Sequence, residues 1–166
     1  MNIEIYTSAS EEETFQLGTD FSSRLRPSDV VAFYGELGAG KTEFIKGLCY
    51  GMNVHEIVAS PTYTIINQYL GEDLSGHEVL IYHIDLYRVD TAEEQVEVGL
   101  ADIVAEPGAI KLIEWSENAE ALLPPERYEV VLFNDGDENS RRIEIVRRTG
   151  DGIELPAPRW HIAGGR

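Results

Sequence analysis

Gly35-Glu36-Leu37-Gly38-Ala39-Gly40-Lys41-Thr42 has the residue types and spacing that hold a polyphosphate. Glycines at 35, 38 and 40 allow backbone angles that turn successive N–H groups inward, and they let the main chain approach an anion with no Cβ in the way. Lys41 adds a full positive charge for the β- and γ-phosphates, and the hydroxyl of Thr42 is a ligand for Mg²⁺. The pattern demands a strand before it and a helix after it, whose N-terminal N–H groups face the same anion. Both are present in outline, because the apolar run Val30-Val31-Ala32-Phe33-Tyr34 precedes the loop and a helical pattern follows from Lys41 to Tyr50.

Phosphate chemistry at such a loop also needs a carboxylate on the magnesium side and a group that orients the attacking water. Asp85 and Glu114 are the candidates, each at or just past the end of an apolar run, Val79 to Ile84 and Ala109 to Ile113. In an open parallel sheet those strand ends lie on the edge that carries the glycine loop. Ser60-Pro61-Thr62-Tyr63-Thr64 stands between loop and Asp85, where nucleotide switches keep a hydroxyl that senses the γ-phosphate and its metal. Thr62 is the first choice for that hydroxyl and Thr64 the second; a plain turn set by Pro61 is the other reading. Trp115 is either core or an aromatic wall beside the nucleotide. His83 shares a strand face with Asp85 and is taken as a packed or hydrogen-bonded residue outside the chemistry, and Cys49 as a small buried hydrophobe. Without an Asn-Lys-x-Asp guanine-reading segment, ATP is favoured over GTP.

The elements that must position these groups follow an α/β order. Residues 2–7 alternate polar and apolar as in a half-buried strand, and Ser10 with Glu13 predicts a capped helix running to about Leu25. Thr91 to Val98 reads as a short acidic helix between the two carboxylate-bearing strands. The apolar stretches Arg127 to Phe133 and Arg142 to Val146 flank a turn-rich segment and predict an antiparallel hairpin. Arg141, Arg142, Arg147 and Arg148 are read as the polar, solvated face of its second strand. Residues 1–149 are therefore expected to form one domain, and 150–166 a loose tail.

Composition limits the function classes. With 30 acidic and 13 basic residues the formal charge is −17, which repels phosphate backbones and disfavours autonomous binding to RNA or DNA. No apolar run is long enough to span a membrane, and the acidic N-terminal stretch does not read as a signal peptide, so a cytoplasmic location is expected. The single Cys49 and four scattered histidines lack zinc-ligand spacing.

Taken together the motifs resemble the TsaE (YjeE) family of bacterial ATPases. The resemblance rests on residues 35–42, on Ser60-Pro61-Thr62-Tyr63-Thr64, on Tyr82-His83-Ile84-Asp85-Leu86-Tyr87-Arg88, on Glu97-Val98-Gly99-Leu100 and on Ile113-Glu114-Trp115-Ser116-Glu117. It implies a three-layer P-loop NTPase-like fold with a mixed, largely parallel central sheet and a C-terminal antiparallel hairpin. It also implies slow hydrolysis of Mg-ATP in support of tRNA threonylcarbamoyladenosine formation at position 37, through a complex of TsaB and TsaD that supplies most contact with tRNA. Carried onto this chain, Glu36, Leu37, Gly38, Ala39, Gly40, Lys41, Thr42 and Trp115 would contact the nucleotide. Thr42, Glu114 and Asp85 would serve the metal, and Lys41, Asp85, Glu114 and Thr62 would carry the catalysis. Tyr87 and Trp115 would affect hydrolysis or partner docking. A small-molecule or protein kinase, or a non-hydrolysing ATP-dependent switch, are the competing readings.

Overall fold

The run Val30–Tyr34 alternates between two apolar environments, and this is the organising fact of the architecture. Val31 and Phe33 face one hydrophobic cluster, while Val30, Ala32 and Tyr34 face another on the opposite side. A strand buried on both faces must lie in the middle of a sheet with helices on each side. The computed structural model describes residues 3–150. Its seven strands are β1 (Ile3–Ser8), β2 (Val30–Tyr34), β3 (Ile66–Glu72), β4 (Glu78–Asp85), β5 (Ile110–Glu114), β6 (Arg127–Asn134) and β7 (Arg141–Arg148), in the spatial order β1-β7-β6-β2-β5-β4-β3. The four central strands β6, β2, β5 and β4 are parallel, and antiparallel pairs close both edges. The fold is therefore the expected P-loop NTPase-like α/β arrangement, with β6 and β7 as the predicted hairpin.

On one face of the sheet lie α1 (Glu11–Ser22) and α2 (Lys41–Gly51). Ser10 caps α1 by accepting from the Glu13 N–H, while the Glu13 carboxylate accepts from the Ala9 N–H, so the capping prediction holds at the start. The helix stops about a turn earlier than the expected Leu25. On the other face are α3 (Ala92–Glu97), α4 (Leu100–Ala105) and a 3-10 helix over Ser116–Leu122. Among the described residues no helix is long and apolar enough to cross a membrane.

Three features depart from expectation. The alternation in β1 is real, but Ile3 and Ile5 point outward while Glu4 and Tyr6 turn inward, where Arg24 reaches both. Strand β3 and helix α4 were not anticipated. The first carries Asn67, Gln68 and Gly71, which hide a strand pattern; the second is only six residues long and starts from Gly99 in a left-handed conformation without a side-chain cap. The expected tail lies outside the described residues from 151 onward.

Candidate functional site

The glycine loop leaves β2 at the C-terminal edge of the parallel strands and enters α2 directly at Lys41. Gly38 and Gly40 have φ of 79° and 100°, angles that L side chains rarely adopt. At Gly35 a Cβ would stand 2.6 Å from the Leu132 carbonyl oxygen, so close approach of β6 adds a second reason for glycine. Arg141, on β7, supports the loop from outside: its guanidinium donates to the carbonyls of Ala39 and Gly38, both at 3.1 Å. Lys41 folds back over its own loop, donating to the carbonyls of Gly35 and Glu36, and its ammonium lies 4.2 Å from the centroid of the Trp115 ring. Burial pulls the Lys41 pKa down, against the opposing pull of Glu114, Glu117, Asp85 and Glu36.

Parallel pairing of β4 and β5 sets Asp85 directly opposite Glu114, so the two carboxylates arrive side by side without any loop to place them. Glu114 is 3% exposed; one oxygen accepts from the Thr42 hydroxyl at 2.9 Å and the other meets Nε2 of His83 at 2.8 Å. Asp85 accepts from the hydroxyls of Thr62 at 3.0 Å and Ser60 at 3.2 Å, while its second oxygen accepts from the Tyr87 N–H at 2.9 Å. Trp115 starts the 3-10 helix in a left-handed conformation with φ of 58°, and its ring stacks obliquely on Tyr87.

These groups line an open cleft of about 280 Å³ that also receives Leu37, Glu11 and Glu43. Of the residues expected at the nucleotide, Leu37, Gly38, Ala39, Gly40, Lys41, Thr42 and Trp115 line this cleft, whereas Glu36 lies outside the lining and its carbonyl accepts from Lys41 and from the Ala39 N–H. Thr62 joins the site through Asp85. Thr64, the second choice, turns to Asn67 instead, and the second hydroxyl on Asp85 is that of Ser60, which was not anticipated. His83, taken as a packed or hydrogen-bonded residue, is hydrogen-bonded to a site carboxylate. The arginines of β7 are not a freely solvated face: Arg142 pairs with Glu144, Arg148 with Glu129, Arg147 lies over Tyr128, and Arg141 holds the loop.

The donor set fits a hard cation next to a polyphosphate. Inward-turning N–H groups and Lys41 suit phosphate oxygens, but the lining also carries Glu11, Glu43, Asp85 and Glu114. A triphosphate laid beside Asp85 and Glu114 is repelled unless a divalent cation stands between them, and a hydroxyl with carboxylates is the oxygen set that Mg²⁺ takes.

Comparison with known proteins agrees with this geometry. The profile of the family described as "Threonylcarbamoyl adenosine biosynthesis protein TsaE" matches residues 8–143. A protein of Nostoc sp. named tRNA threonylcarbamoyladenosine biosynthesis protein TsaE is 37% identical over 141 residues, covering 83% of this chain and 82% of its own. Its namesake from Bacillus subtilis is 35% identical over 133 residues, covering 80% and 79%. The crystal structure of Bacillus subtilis YdiB superposes with a TM-score of 0.72 at 30% identity, over 89% of this chain and 87% of that one.

Proposed function

This chain belongs to the TsaE family, whose role is in biosynthesis of tRNA threonylcarbamoyladenosine, and on that premise we propose that it binds Mg-ATP in the glycine-loop cleft and hydrolyses it. Turnover is slow in the isolated protein and is raised by its partners, TsaB and TsaD, with tRNA reached through their complex. The observation that carries the reading is the Thr42–Glu114 hydrogen bond at the first turn of α2, with Asp85 alongside. Such a hydroxyl–carboxylate pair next to a phosphate cradle is an oxygen set that would hold magnesium beside the nucleotide.

Each residue then has a physical task. The N–H groups of Gly38 and of residues 40–42, at the N-terminal end of α2, bind the phosphates, and Lys41 leaves its loop carbonyls for the β- and γ-phosphate oxygens. Thr42 and Glu114 would hold magnesium directly, with Asp85 on the same side; bound there, the metal offsets charge on the phosphate oxygens. Thr62 and Ser60, tied to Asp85, connect the metal side of the cleft to the segment that leads into β3. Asp85, held by Thr62, Ser60 and the Tyr87 N–H, stands beside Glu114 as the second carboxylate on the metal side, and it is assigned to orienting water.

Phosphate release from Mg-ATP by the purified chain, alone and then with TsaB, TsaD and tRNA, tests the proposal. A slow basal rate that increases with the partners and disappears in Lys41→Ala, together with loss of tight ATP binding in that variant, is the expected result. ATP bound but never cleaved would replace hydrolysis with an ATP-dependent switch, and release that requires an added alcohol would identify a kinase.

A further inference from the structure

We propose that His83 is a positioning residue for Glu114: by donating from Nε2 it holds one carboxylate oxygen so that the other is presented to Thr42 and the magnesium. This rests on the Mg-ATP reading above and extends it to a residue outside the cleft lining.

A carboxylate that is 3% exposed keeps its charge and its orientation only if its oxygens find donors. Glu114 has two, from opposite directions. Thr42 Oγ1 approaches Oε1 from the first turn of α2, and His83 Nε2 approaches Oε2 from the neighbouring strand. His83 is opposite Leu112 in the β4–β5 register, one pleat before the Asp85–Glu114 pair, so its ring spans diagonally to reach Glu114. The ring is 0% exposed and lies near Tyr69 at a centroid distance of 6.3 Å.

The other ring nitrogen decides the tautomer. Nδ1 is buried and has no hydrogen-bond partner among the described residues. A proton there would have no acceptor, and an ionised Oε2 of Glu114 can only accept, so the 2.8 Å contact calls for the proton on Nε2. Nε2 therefore carries a proton, and His83 donates from it to Glu114. When Thr42 swings to the metal, Glu114 keeps the His83 bond and cannot rotate away. Orienting partners of this kind behind a metal ligand typically contribute 10–100-fold in metal affinity.

The test is calorimetric binding of ADP with magnesium and with chelator, for wild type, His83→Leu and His83→Gln. Glutamine places an amide N–H where Nε2 stands, and leucine does not. Wild type should bind more tightly with magnesium. That gain should fall about 10–100-fold in His83→Leu, with chelator affinity unchanged, and return in His83→Gln. A magnesium gain in His83→Leu equal to wild type overturns the proposal, as does a glutamine variant that loses as much as leucine. Absence of any magnesium gain in wild type defeats the Mg-ATP reading itself, which is a distinct failure. If His83→Leu does not fold, nitrogen chemical shifts of wild-type His83 decide: a proton on Nε2 supports the assignment, and one on Nδ1 overturns it.

Discussion

Glu117 is a carboxyl group that folding withdraws from water close to the loop lysine. Burial pushes its pKa up to about 7, despite the pull of Lys41, and one of its oxygens has no hydrogen-bond partner among the described residues. The folded state therefore holds a proton that the unfolded chain has already released, and stability falls as pH rises from about 4.5 through about 7. Glu117→Gln removes that penalty. The variant should melt higher than wild type at pH 8, by up to about 3 kcal/mol, and the two curves should converge toward pH 5. Destabilisation of the variant at pH 8 but not at pH 5 would mean instead that Lys41 needs the charge. At this scale the legible part of the site was the part written in consecutive residues. The loop, Asp85 and Glu114 declare themselves by type and by place at strand ends. His83, Ser60 and Arg141 act through partners 31, 25 and 102 residues away, and no local spacing encodes such pairings.

Between elements, the tightest fit is the crossing of α1 and α2. A Cβ on Gly18 would stand 2.1 Å from the Phe44 carbonyl oxygen, and one on Gly47 would stand 2.0 Å from that of Phe15. Each helix thus presents a bare backbone to the other, and Thr19 donates across the gap to the Gly47 carbonyl. Backbone cannot move aside as a side chain can, so Gly18→Ala or Gly47→Ala should force the helices apart and cost about 1–3 kcal/mol or more, read as a lower urea midpoint. Because α2 carries Lys41 and Thr42, nucleotide affinity should drop with it. Central elements were readable because burial on both faces leaves an apolar run, unbroken in β2 and interrupted only by Lys111 before the terminal Glu114 in β5. Strand β3 was not, since as an edge strand it can keep polar residues at positions a central strand could not. Strand β1 showed its period but not its orientation: the inward face is the one on which Arg24 pairs with Glu4, Tyr6 packs on the core and Ser8 bonds to Thr14.

For the molecule as a whole, a charge of −17 sets its relations with nucleic acid. The arginines of β7, the one basic cluster evident in the sequence, are taken up by Glu129, Glu144, the Tyr128 ring and the loop carbonyls, which leaves little to offer a phosphate backbone. Addition of tRNA alone should leave the electrophoretic mobility of the protein unchanged at physiological salt, and a shift should require the partner proteins. The strand order carries one more consequence, for the ribosome rather than the test tube. Strand β2 lies between β5 and β6, and β1 pairs only with β7, so the strands made first wait for those made last. Arg141, which supports the glycine loop, is itself part of β7. A chain emerging residue by residue carries its phosphate loop long before it has the scaffold to shape it. The loop is encoded early and completed late.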